Sequence, residues 1–212
     1  MFRCYRYGIN THSMSINSQY FINLINKGGY KRGLELGVRG GISGNAFMKT
    51  NIEHMYGIDY LEWEAGRKLE AESDGRYEYI IGKSPDCAGA FDDEDFDFIF
   101  LDGSHAYEAV KEDLDAWWPK LKSGGLFCGD DYHYASSSDE GQYGVVQAVE
   151  EFARYKKLQV KLLYYECYVS SENDKLRIAA NWNTDPLYRY IANLEEEEKG
   201  VYPTPPTWMI YK

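Results

Sequence analysis

The sequence predicts a doubly wound α/β domain, and three observations predict it. Short apolar runs alternate with helical patterns over most of the chain. The segments between successive runs are about a dozen residues long, enough for a crossover helix, so the strands pair in parallel. The most apolar run, FDFIFLDG from Phe96, reads as a strand covered on both faces. In such a domain ligands sit beyond the carboxyl ends of the strands, where strand order reverses.

The elements follow in order. SINSQYFINLINKG, residues 15–28, places Ile16, Tyr20, Ile22 and Leu24 at helical spacing, and Gly28-Gly29 stops it. KRGLELG is a short strand running into a glycine-rich turn, and ISGNAFMKTN starts a helix. HMYGIDY is a second strand, LEWEAGRKLEAES a helix, RYEYIIG a third strand and FDFIFLDG the fourth. YEAVKEDLDAWWPKL carries a helical stripe of Val110, Leu114, Trp117 and Leu121, closed by Gly124-Gly125, with GLFCGDD following as the fifth strand. Trp117 and Trp118 are expected beneath the sheet. After the amphipathic helix YGVVQAVEEFARYKK, LQVKLLYYECYV reads as a sixth strand and TWMIYK as a seventh. The polar stretch between them has no clear pattern, and residues 171–203 are a candidate lid. Glu195 to Glu198 reads as a solvated helix end.

The totals bound the function. With 212 residues and 44% hydrophobic content, the chain can bury one full core, and we read a single domain, 1–212. A formal charge of -11 argues against a nucleic-acid partner, because phosphate binding requires clustered Lys and Arg. Cys4, Cys87, Cys128 and Cys167 lie far apart with no CxxC pair, which suits a reducing compartment. No run approaches the roughly 18 apolar residues of a membrane span, and the N-terminus lacks the apolar stretch of a signal peptide. The expectation is a soluble, cytoplasmic protein with no membrane partner, compatible with a homo-oligomer. Its 20 Tyr and 5 Trp are many, and some of these rings are expected to line a ligand cleft.

The residues just past each strand carry the chemistry. After strand one, Glu35, Gly37, Gly41 and Ser43 form E-x-G-x-x-x-G-x-S: the glycines let backbone approach a ligand, and a helix N-terminus follows. Asp59, at the end of strand two, lies 22 residues past Gly37, where an acidic side chain grips ribose hydroxyls in dinucleotide-type folds. Together these point to a nucleoside cofactor, either NAD or S-adenosylmethionine. Glu35 favours the latter, since a carboxylate there can hold an ammonium but would repel a pyrophosphate.

Here the sequence resembles the class I S-adenosylmethionine-dependent methyltransferases, and within them the small metal-dependent O-methyltransferases. The resemblance rests on Asp102-Gly103-Ser104-His105-Ala106-Tyr107 after strand four and on Gly124-Gly125 through Asp130-Asp131 at strand five. It covers roughly residues 15 to 155. It implies a Rossmann-like seven-stranded sheet, mostly parallel with an antiparallel last strand. It implies that Glu35 and Ser43 hold the methionine amine and carboxylate, that Gly37 and Gly41 line the turn, and that Asp59 binds the ribose. Tyr60 would pack near the adenine and Ser84 would sit by its edge. Asp102, beside the cofactor, would join Asp130 and Asp131 in holding a metal, and His105 would stand where such relatives keep a general base.

The residue chemistry supports this. Three carboxyl groups at one strand edge repel one another unless a divalent cation neutralises them, and all-oxygen ligation suits Mg²⁺ better than zinc. Such an ion would lower the pKa of a substrate hydroxyl, and His105 could take the proton. The expected acceptor is a small hydroxylated molecule, a sugar or a phenol. Plainer readings stand beside each residue: Asp130-Asp131 as a turn, His105 as a helix-start hydrogen bonder, and Ser43 as a cap. Tyr132 and His133 lie near the same edge, with structural roles as the simpler expectation. The Tyr107-x-x-x-Lys111 pair of short-chain dehydrogenases follows the wrong strand here and reads as coincidence. A nicotinamide-dependent oxidoreductase and a non-catalytic S-adenosylmethionine-binding domain are the alternatives.

Overall fold

The computed structural model describes residues 19–132, 144–163, 167–170, 175–178 and 207–212. The elements are α1 (Gln19–Gly28), β1 (Arg32–Leu36), α2 (Ile42–Phe47), β2 (His54–Asp59), α3 (Glu64–Glu72), β3 (Tyr77–Ile81) and α4 (Ser84–Cys87). Then follow β4 (Phe96–Leu101), α5 (Tyr107–Trp117), β5 (Leu121–Gly129), α6 (Val145–Lys156), β6 (Lys161–Leu163), β7 (Cys167–Ser170), β8 (Lys175–Ile178) and β9 (Thr207–Tyr211). The expected lid over 171–203, Glu195 to Glu198, the helical start at Ile16 and His133 lie outside the described residues, apart from the short strand β8.

Seven strands form one sheet in the order β3-β2-β1-β4-β5-β9-β6. The first five are parallel, and β9 runs antiparallel to both neighbours. The predicted fold class is therefore the observed one. Order reverses between β1 and β4, so the ligand edge centres on the tips of those two strands.

The strand alternation builds a core on each face. Along β4, Phe98 and Phe100 join Phe47, Met55 and Tyr77 on one side, while Ile99 and Leu101 join Val110, Leu114, Trp117 and Phe152 on the other. Trp117 is fully buried against Phe91 and Phe96, and Trp118 packs on Phe127 and Phe152.

Two boundaries differ from expectation. Gly124-Gly125 does not close a helix: α5 ends at Trp117, two residues before Pro119, which has no N–H to continue it. Leu121 is instead the first residue of β5, and the two glycines form an irregularity where β5 slips against β4 between Phe96 and Phe98. Gly124 sits at φ 82° and its N–H donates to the Lys212 carbonyl. The expected sixth strand is also divided. Residues 161–163 pair with β9, whereas β7 pairs with β8 in a separate two-stranded sheet.

Candidate active site

The tip of β1 is welded to that of β4. The amide of Asp102 donates to the Leu36 carbonyl at 2.8 Å, and that of Gly37 donates to Ile58 at 2.8 Å. Gly37 has φ 96°, and a Cβ there would overlap the Asp102 carbonyl. Only glycine lets these backbones come so close.

Asp59 organises the loop that follows. Its Oδ2 accepts the amides of Val38 and Arg39, each at 3.0 Å, and its Oδ1 accepts that of Leu61 at 3.0 Å. Asp59 is thus at the expected edge and holds the glycine-rich turn in shape. Beside it Tyr60 is 65% exposed, an open aromatic face at the β2 tip. Gly41, at φ 68°, ends the turn and caps α2.

Glu35 lies beneath this loop and is fully buried. The Ser43 hydroxyl donates to Oε1 and the Tyr77 hydroxyl to Oε2 at 2.8 Å. Burial pushes its carboxyl up to about 8, against the pull of these two bonds. Glu35 and Ser43, expected to hold the two ends of a methionine moiety, are here bonded to each other. Ser84 opens α4 past the β3 tip, where its hydroxyl meets Asp113 and Trp117.

The tips of β4 and β5 carry the charged cluster. His105 Nε2 lies 2.8 Å from Asp131 Oδ2 and 3.9 Å from Asp102 Oδ1. One ligand atom from each of Asp102, His105 and Asp131 lies within 4.8 Å of the others, a spacing that can hold a metal ion. Burial would lower the imidazole pKa, but hydrogen bonds and charge from Asp102 and Asp131 outweigh it and push it up to about 10. Asp131 takes the left-handed φ of 57°. Asp130 stands outside this trio: its Oδ1 is buried without a hydrogen-bond partner among the described residues, and burial with the charges of Asp102 and Asp131 raises its carboxyl well above the usual range. The trio brought together is therefore Asp102, His105 and Asp131, in place of the expected three aspartates.

Several contributors escape a reading of strand ends. Tyr77 reaches Glu35 from β3, and Asp113 reaches Ser84 from α5. Glu150 and Glu151 of α6 accept the hydroxyls of Tyr132, next to Asp131, and of Tyr107, two residues past His105. The Tyr107 hydroxyl is engaged there rather than with Lys111, whose Nζ lies 5.9 Å from the ring centre. No described helix is long and apolar enough to cross a membrane.

Strand order, a glycine-rich turn after β1 and an acid after β2 define the class: a Rossmann-like methyltransferase fold. Comparisons with known proteins agree. Residues 34–132 match the family model described as a methyltransferase domain. The fold is similar to a SAM-dependent methyltransferase from Archaeoglobus fulgidus (TM-score 0.61, 15% identity, 93% of each chain covered). It is also similar to an O-methyltransferase from Bacillus cereus in complex with SAH (TM-score 0.60, 14% identity, 99% of this chain and 84% of that one). A third similar structure is a SAM-dependent O-methyltransferase from Thermotoga maritima (TM-score 0.55, 15% identity, 98% of this chain and 67% of that one). A search of curated protein sequences finds no match.

Proposed function

We propose that this methyltransferase moves the methyl group of S-adenosylmethionine to the hydroxyl of a small acceptor, a sugar or a phenol, with His105 taking the acceptor's proton. The observation that carries the reading is the meeting of His105 with Asp102 and Asp131 at the strand tips beside the glycine-rich turn. The O-methyltransferase neighbours support oxygen as the atom methylated.

The cluster fits a divalent cation. The carboxylates of Asp102 and Asp131 lie within reach of one ion, with the His105 imidazole beside them, and the buried Asp130 carboxyl adds an unpaired oxygen nearby. A bound cation would lower the pKa of the acceptor hydroxyl. Asp102 and Asp131 are the residues that would hold it. With both carboxylates committed to a cation, the charge that keeps the imidazole protonated would be neutralised, leaving His105 free to take a proton. The rest of the work belongs to the protein. The Asp59-braced turn binds the donor, Tyr60 covers its base, and the tips of β4 and β5 hold the acceptor oxygen for in-line attack.

Calorimetry with S-adenosylhomocysteine tests the reading, followed by turnover on a library of hydroxylated acceptors with EDTA and with added Mg²⁺ or Mn²⁺. Methylation that EDTA abolishes and metal restores is expected. Binding of NAD(H) in place of S-adenosylhomocysteine would sink the reading, and turnover unaffected by EDTA would remove the cation from it.

A further inference from the structure

We propose that Asp113 is a positioning residue that fixes the hydrogen-bonding polarity of Ser84, so that the donor pocket selects a purine offering an amino group over one presenting a keto oxygen. The inference rests on the S-adenosylmethionine reading and on Ser84 lying at the edge of the base.

A serine hydroxyl has one proton to give and two lone pairs to accept with. Ser84 has its choices made for it from below. Trp117 Nε1–H, a group that can only donate, gives its proton to Ser84 Oγ at 2.8 Å. The serine's own proton goes to Asp113 Oδ1. Asp113 and Trp117 stand one turn apart on α5, so one helix face supplies both contacts. What remains on Ser84 is a single lone pair and no proton, on a side chain that is only half-buried and lies past the tip of β3.

The two partners hold this arrangement firmly. Trp117 is fully buried, packed on Phe91 and Phe96, and Asp113 is 5% exposed. A carboxyl in such a place is costly to keep, and one serine hydrogen bond offsets little of that cost. Burial pushes Asp113 up to about 6, partly countered by the Ser84 bond, so at pH 8 it is an ionised group that can only accept. An accepting lone pair at the pocket edge suits the amino group of adenine. The carbonyl of hypoxanthine would meet it lone pair to lone pair, leaving both unsatisfied, a mismatch of about tenfold or more in affinity.

The full chain is titrated calorimetrically at pH 8 with S-adenosylhomocysteine and with S-inosylhomocysteine, which differ at the 6-position and at N1, an acceptor in adenine and an N–H in hypoxanthine; the Ser84 and Asp113 variants isolate the share owed to the 6-position. The ratio of the two affinities is the readout, because loss of stability alone does not move it. Wild type should favour the adenine ligand by about tenfold or more. Asp113→Asn, whose amide can donate, frees the Ser84 proton and should lower the ratio severalfold with both ligands still bound. Ser84→Ala should do the same, while Ser84→Thr, which keeps the hydroxyl, should retain the preference. If Asp113→Asn does not fold, the two Ser84 variants decide the matter. Equal binding by wild type, or an unchanged ratio in Ser84→Ala, overturns the proposal and leaves the methyltransferase reading standing. Failure of wild type to bind either ligand overturns both.

Discussion

His105 and Asp131 meet at 2.8 Å between Nε2 and Oδ2, across the gap between the tips of β4 and β5. The contact joins the loops that follow the two strands, and side-chain exposures of 24% and 20% leave both residues partly open at the strand tips while Nε2 itself is covered. In the proposed reaction this imidazole is the proton acceptor.

Replacing His105 by Ala should therefore lower turnover by ~10²–10⁴ while S-adenosylhomocysteine binds as before. Single-turnover methylation and calorimetry on the same preparation check this. Unchanged turnover would remove His105 from the chemistry.

The weld between β1 and β4 should be intolerant of any side chain. Gly37→Ala brings a Cβ onto the Asp102 carbonyl at φ 96°, and no rotamer relieves an overlap with main chain. Gly75, at φ 77° with open space around it, is the control. Gly75→Ala should cost about 1–2 kcal/mol from conformation alone, and Gly37→Ala about 4 kcal/mol or more. Denaturant unfolding of both variants measures the difference, and similar losses would show that the weld is slack.

The tyrosines beside the reactive pair give a different kind of prediction. Tyr107 and Tyr132 bond through their hydroxyls to Glu151 and Glu150, and the His105 carbonyl accepts the Gly144 amide at 2.9 Å. Exposed bonds of this kind add little stability. They do tie both reactive loops to α6, and small displacements there are expensive in rate. The double variant Tyr107→Phe with Tyr132→Phe should melt within a few degrees of wild type yet turn over roughly tenfold more slowly. Full activity would mean the loops hold their places unaided.

Glu35 makes the unliganded protein sensitive to pH. Its carboxyl is raised from 4.5 to about 8 by burial, so between those values the folded chain holds a proton that the unfolded chain has released. Stability then falls as pH rises through that window and levels off above it. His105, Asp113 and Asp130 are raised as well and add to the slope. Melting curves at pH 5, 6, 7 and 8 should decline less steeply for Glu35→Gln than for wild type. Parallel curves would contradict the burial assigned to this group.

Much of this could be seen in the sequence, for reasons that differ from place to place. The five parallel strands are legible because each is a short apolar run between helical patterns, and Asp59, Asp102 and Asp131 are legible because they stand directly past strand tips. Gly124-Gly125 is misleading: two glycines after a helical stripe look like a stop, and only the slip of β5 against β4 and the pairing with Lys212 give them their use. The membership of the charged trio depends on the left-handed φ of Asp131, which decides how successive side chains point and has no signature in the letters DD. The bonds from Tyr77 to Glu35 and from Ser84 to Asp113 span 42 and 29 residues, so they exist only once the sheet and its helices have packed.

The place of β9 between β5 and β6 has its own consequence. It is the last of the described strands along the chain, yet it occupies an inner column of the sheet. Until it is threaded in, Leu126 to Gly129 present a bare row of amides and carbonyls, and β6 has nothing to lean on. Any state in which β9 slips out would bare that margin and invite pairing with another chain, so partial opening at this column is where aggregation of the folded protein should begin.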